Sequence, residues 1–263
     1  MSSPLPAIFL SHGSPMLALD GSAAHHFLKD YAREIPRPKA ILVASAHWAT
    51  ARPAVSAVAA PRTIHDFGGF PRALFEMTYP APGAPWLAER TAGLLGEAGI
   101  AADIDPARGL DHGAWVPLKL LYRDADVPVT QLSIQPHLGP DHHLAVGRAL
   151  RPLRDEGVLI VGSGAVTHNL EAFFTGRFEM DSTAPDWVTA FAEWLADRIA
   201  AGDTEALLDY RSTAPFGARN HPTDEHLLPL YVALGAASDG THGARVHQSS
   251  AYGVIAMDAY AFA

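Results

Sequence analysis

The feature that most constrains this chain is a repeated pairing in which a short apolar run stops at a histidine. Residues 6–10 are almost wholly aliphatic or aromatic and end at Ser11-His12-Gly13-Ser14-Pro15, where glycine and proline stop a strand. Residues 40–45 repeat the arrangement and run into Ala46-His47-Trp48. Runs of this length read as buried β-strands, each delivering an imidazole at its carboxyl end. Further strands are expected at residues 127–134, at 157–161 leading through Gly162-Ser163-Gly164 to His168-Asn169, and late in the chain at 244–248 and 253–257.

Between the strands, apolar residues recur at spacings of three and four over residues 86–98, 142–156, 185–200 and 224–234, the last with Asp224 or Thr223 as cap. Strands alternating with helices predict an α/β fold. Residues 1–263 are expected to form a single domain with a central, mostly parallel or mixed sheet and helices on both faces. Two long irregular stretches, 59–85 and 210–222, interrupt the pattern. The first carries Thr63-Ile64-His65-Asp66-Phe67-Gly68-Gly69-Phe70-Pro71, whose aromatic and glycine content suits a pocket wall or lid.

A chain of 263 residues that is 48% hydrophobic can bury a full-sized core. Its formal charge of -9, with no basic block, argues against nucleic acid or an anionic membrane as partner and leaves a small molecule as the expected ligand. No stretch reaches the roughly 20 apolar residues needed to span a bilayer, and no basic region leads into an apolar signal core, so a cytoplasmic location is expected. With no cysteine in the chain, disulfides, thiolate metal sites and cysteine nucleophiles are excluded together. Histidine, at 14 residues, is abundant, and imidazole is the commonest protein metal ligand.

In open α/β sheets ligands bind beyond the carboxyl ends of the strands. His12, His47 and His168 all fall at such ends, so they are expected to converge from distant parts of the chain. A third metal ligand is sought in Asp224-Glu225-His226. If a helix opens there, Glu225 and His226 point about 100° apart and one of them faces the site. Glu225 would complete two histidines and a carboxylate, the facial set of non-haem iron oxygenases, whereas His226 would complete an all-imidazole site that suits zinc as well as iron. His112, in Gly109-Leu110-Asp111-His112-Gly113, is placed to meet a phenolic oxygen, with Asp111 as cap of the following helix. His25, His26, His142, His143, His242 and His247 read as surface or structural, and His137 is unassigned. Neither Gly162-Ser163-Gly164 nor Ser14 has nucleophile-elbow spacing, and phosphate-loop and dinucleotide motifs are absent.

Six motifs in order, around His12, His47, His65 to Pro71, His112, His168 and Glu225-His226-Leu227-Leu228-Pro229-Leu230, resemble those of the class III extradiol dioxygenases, in particular the DOPA extradiol dioxygenase branch. The resemblance runs from about residue 6 to the last strand. It implies one divalent metal per chain, held by His12, His47 and His226 with Glu225 as the alternative third ligand. His168 is implied as a catalytic acid and base, and as a possible additional ligand, while His112 is implied to contact substrate. Trp48, His65 and Phe70 are the expected lining of the substrate pocket. The implied reaction inserts O₂ into a catechol beside its two hydroxyls, with Fe(II) as the working metal and Zn(II) able to occupy the same ligands. Two alternatives are a zinc-dependent hydrolase and a metal- or small-molecule-binding homologue without turnover.

Overall fold

The structure, a computed structural model, describes residues 4–263. Its strands are β1 (Ala7–Ser11), β2 (Ala40–Ala49), β3 (Ala54–Ser56), β4 (Asp103–Asp105), β5 (Val129–Ile134), β6 (Val158–Gly164), β7 (Gly243–His247), β8 (Ser250–Ala251), β9 (Ile255–Ala256) and β10 (Ala259–Phe262). Eight of them form one sheet in the order β4-β3-β5-β2-β6-β1-β10-β7, and β8 pairs with β9 separately. The central strands β5, β2, β6 and β1 are parallel, while β10 and β7 extend one edge antiparallel and β3 joins β5 antiparallel on the other side. The sheet is therefore mixed, with a parallel heart.

The apolar runs of β1, β2 and β6 are continuous because both faces of the sheet are covered. Ala7 and Phe9, Leu42 and Ala44, and Val158 and Ile160 point to one core, packed with helices Pro85–Glu97, Gly139–Leu150, Asp186–Ala201 and Leu228–Gly235. Alternate residues Ile8, Leu10, Ile41, Val43, Leu159 and Val161 point to a second core under helices Ala23–Tyr31 and His112–Leu121. This is the expected α/β architecture, with helices on both faces.

Three local expectations are corrected. The helix expected at residues 142–156 is two pieces, Gly139–Leu150 and Pro152–Asp155, because Pro152 has no N–H to continue the ladder. Residues 253–257 contribute only β9, and the strand that completes the main sheet is β10, four-residue and antiparallel to β1. The last helix does not open at Asp224: it starts at Leu228, with Pro229 in its first turn, after a turn through Glu225–Leu227. The Asp224 carbonyl accepts from the Leu227 and Leu228 amides, and its carboxylate is held by the Tyr210 hydroxyl at 2.7 Å and by Arg211.

Candidate metal centre

Adjacent parallel strands bring their carboxyl ends side by side, so β1, β6 and β2 assemble one site from remote segments. His12 directly follows β1, and His47 lies near the end of β2. Their Nε2 atoms are 3.0 Å apart. His226 arrives from the turn before the last helix and places its Nε2 3.3 Å from that of His47. His12 and His226 are buried, and His47 is partly so.

Gly162-Ser163-Gly164 makes this approach possible. A Cβ on Gly164 would lie 2.0 Å from the His226 carbonyl oxygen, and one on Gly162 would lie 2.2 Å from that of Pro229. The two glycines thus let the turn and the start of the last helix cross directly over β6. Ser163, between them, points to the opposite face and reaches His12. Its hydroxyl donates to the Gly113 carbonyl, leaving its oxygen to accept from His12 Nδ1 at 3.0 Å. Gly113 is itself constrained, since a Cβ there would stand 3.0 Å from His47 Cδ2 and 2.6 Å from Ser45 Oγ.

The outward nitrogens fix what the inward ones can do. His226 Nδ1 donates to Glu225 Oε1 at 3.0 Å, and His12 Nδ1 donates to Ser163, so Nε2 of each carries a lone pair. Both lone pairs face His47 Nε2. A proton on that atom could satisfy only one of them, whereas a cation satisfies all three. Two nitrogens bound about 2.1 Å from one ion at about 90–105° are themselves about 3.0–3.3 Å apart, which is the spacing found here. The residues present therefore fit a divalent metal. Burial holds His12 and His226 well below the usual imidazole range, and it pushes His47 down to about 3, with the neighbouring His112 adding to the effect. All three are neutral at neutral pH, the form a metal requires.

Glu225 does not stand beside His226 as a rival facing the same space. Its Oε1 accepts from His226 Nδ1 and from Thr223 Oγ1, and lies 3.8 Å from His168 Nδ1. It belongs behind the imidazole. His168 lies flat on His226, with ring centroids 3.4 Å apart and planes 13° from parallel, and its donor atoms cluster with those of Glu225 and His226. Burial lowers its pKa, against the opposing pull of Glu225. On the other flank the His112 ring is 3.9 Å from that of His47, and His112 opens a helix capped by Asp111. The buried Asp111 carboxylate also holds the Ser45 hydroxyl at 2.7 Å, Arg108 at 2.8 Å and Gln131, which fixes the end of β2.

Of the expected pocket residues, His65 and Phe70 reach the site through one intermediary. Both pack edge-on against Phe67, at 5.7 and 5.5 Å, and Phe67 in turn meets the His112 ring at 5.7 Å. His65 Nε2 bonds the Met77 carbonyl at 2.9 Å. Trp48 is buried with the Arg108 guanidinium over its ring at 5.2 Å, and the structure does not bring it against the site imidazoles. Two residues that sequence reading did not single out, Asp66 and Phe67, stand closer to the centre than these. The Asp66 carboxylate is bound to His112 and lies 3.7 Å from His47 Nδ1. The only signal for either was their place in the motif that begins at Thr63. His143, read as structural, is buried between the Gln135 amide and the Gly139 carbonyl.

Residues 6–263 match the family model described as the catalytic LigB subunit of aromatic ring-opening dioxygenase. The 4,5-DOPA dioxygenase extradiol of Beta vulgaris is 45% identical over 258 residues, covering 97% of this chain and 95% of that protein. The protein of the same description from Escherichia coli (strain K12) is 43% identical over 238 residues, 89% of this chain and 86% of its own. The crystal structure of an uncharacterized protein from Escherichia coli K12 superimposes with a TM-score of 0.82 at 33% identity, covering 98% of this chain and 100% of that one. Metal dependence accords with the cluster of imidazoles, and no described helix is long and apolar enough to cross a membrane. With its match extending over essentially the whole length, this chain belongs to the family of the catalytic LigB subunit of aromatic ring-opening dioxygenase.

Proposed function

We propose that this ring-opening dioxygenase cleaves a DOPA-like catechol in the extradiol sense, at a single Fe(II) held by His12, His47 and His226. The observation that carries the reading is the convergence of three imidazole Nε2 atoms at 3.0 and 3.3 Å, with the outer nitrogens of His12 and His226 already hydrogen-bonded. The relatives named for DOPA supply the substrate class. When bound, Fe(II) supplies open positions for catechol and O₂ together with a redox change that Zn(II) lacks.

The remaining chemistry belongs to side chains. His12, His47 and His226 hold the metal with three neutral donors, while the Glu225 and Asp66 carboxylates stand behind the imidazoles, so the ion keeps its charge at its open positions and favours an anionic catecholate. His168 is neutral at neutral pH, because burial lowers its pKa, and it takes the proton of a catechol hydroxyl as general base. It returns a proton later in the cycle as general acid. Glu225, 3.8 Å from its Nδ1, stabilises the imidazolium between the two events. His112, on the opposite flank, contacts the substrate, and Phe67 with His65 and Phe70 walls that side against water.

The test is reconstitution with Fe(II) under anaerobic conditions, followed by oxygen uptake with 3,4-dihydroxyphenylalanine and simpler catechols. Stoichiometric uptake with a yellow ring-opened product is expected. An iron-loaded protein that consumes no oxygen with any catechol would refute the reading, and turnover of an ester or amide by the zinc form would favour the hydrolase.

A further inference from the structure

The Asp66 carboxylate makes three approaches that meet between the metal site and the aromatic loop. Its Oδ1 accepts from the His112 backbone N–H at 2.9 Å and from His112 Nδ1, also at 2.9 Å. Its Oδ2 lies 3.7 Å from His47 Nδ1. The side chain is 24% exposed, whereas that of His112 is 7% exposed. An aspartate from a loop thus grips a nearly buried histidine at both its main chain and its ring.

A carboxylate oxygen can only accept. His112 Nδ1 must therefore carry hydrogen, and in the neutral ring the lone pair is left on Nε2. Without Asp66 both tautomers would be open to a ring whose aromatic neighbours are the His47 and His12 imidazoles and the Phe67 edge, at 3.9, 5.5 and 5.7 Å between centroids. The two hydrogen bonds, one from the main chain and one from the ring, also fix the direction in which the loop carrying Phe67 approaches the helix opened by His112.

We propose that Asp66 is a positioning residue for ring opening: it holds His112 in the Nδ1–H tautomer, with Nε2 free to accept from a catechol hydroxyl. It also ties the aromatic loop to the metal-site helix. The inference deepens the proposed function and rests on it for the substrate, although the tautomer is a property of the protein alone. Asp66 acts through His112 and stands outside the set of His12, His47 and His226: its Oδ1 bonds His112, and its Oδ2 lies beside Nδ1 of His47, the nitrogen on the opposite side of the ring from the Nε2 that meets His12 and His226.

The test compares wild type, Asp66→Asn and Asp66→Ala by three measurements. The first is nitrogen-15 NMR of the His112 ring in the zinc-loaded protein, assigned with His112→Gln. The wild type should show the Nδ1–H tautomer. Asp66→Asn should keep it, since an amide oxygen can accept both bonds, while Asp66→Ala should show a mixture. The second is metal content, which should be unchanged in all three. The third is steady-state oxygen uptake after Fe(II) loading: Asp66→Ala should lose roughly 10- to 100-fold in kcat, the usual cost of removing an outer partner, with Asp66→Asn recovering most of it. An unaltered tautomer in Asp66→Ala would overturn the proposal, as would loss of metal in step with the carboxylate. If the wild type consumes no oxygen, the functional reading fails, and the NMR comparison still decides the role of Asp66.

Discussion

Glu225 and His226 are neighbours in the chain but occupy successive layers of the site. Glu225 Oε1 accepts a 3.0 Å hydrogen bond from His226 Nδ1, while His226 Nε2 faces His47 Nε2 at 3.3 Å. The two residues therefore answer differently to substitution. His226→Ala should empty the site of metal. Glu225→Gln should retain it with affinity weakened roughly 10- to 100-fold, because an amide oxygen still accepts from Nδ1 but polarises the ring less. Competition with a chelator of known affinity reads both, and a site emptied by Glu225→Gln but not by His226→Ala would exchange their roles.

Gly164 tests the packing beneath that arrangement. Gly164→Ala would drive a methyl to 2.0 Å from the His226 carbonyl and push the turn off β6. A loss of about 1–3 kcal/mol is expected, the usual cost of overpacking a filled interior, accompanied by weaker metal binding. Urea unfolding and metal titration measure the two effects. Unchanged values in both would mean that the turn is free to move.

His168→Ala separates proton transfer from coordination. Iron content should stay near that of the wild type, because three other imidazoles hold the metal, while turnover falls by roughly 10²- to 10⁴-fold. Iron lost in parallel with activity would make His168 a ligand. Near-normal oxygen uptake would move the proton transfer to another group, with His112 the first candidate.

How much of this was legible in the sequence follows from the range of each interaction. His12 and His47 could be found because a strand buried on both faces is a local pattern, and its end is marked by glycine or by a polar residue. The strand β10, held between β1 and β7, has no such mark, since it exists through antiparallel pairing with a segment at the other end of the chain. The sequence singles out Glu225 and His226 but orients them on a helix that begins only at Leu228, with Pro229 in its first turn. Ser163 carries no local mark beyond its flanking glycines, and its bond to His12 spans 151 residues. Asp66 likewise reaches His112 across 46 residues, a contact that no local periodicity encodes.

The buried histidines also set a pH dependence for the metal-free protein. Burial pushes His47 down to about 3 and His143 and His221 to about 4, against about 6.5 for the unfolded chain. As pH falls below about 6.5 the unfolded state takes up protons that the folded state refuses until about 4 or lower, so stability present above that range is lost through it. Thermal midpoints of the chelated protein should fall steadily from about pH 7 to about pH 5. A midpoint independent of pH over that interval would contradict the neutral, buried assignment.

The central claim is that the three-imidazole site, loaded with Fe(II), opens a catechol ring with both atoms of O₂. A single turnover of the iron-loaded protein with 3,4-dihydroxyphenylalanine under ¹⁸O₂, in ordinary water, followed at once by mass spectrometry of the product, tests it most directly. The account predicts a ring-opened product carrying two labelled oxygens, apart from label exchanged from its aldehyde to solvent. A product with no label, or an unopened quinone formed with release of labelled water or peroxide, would contradict it.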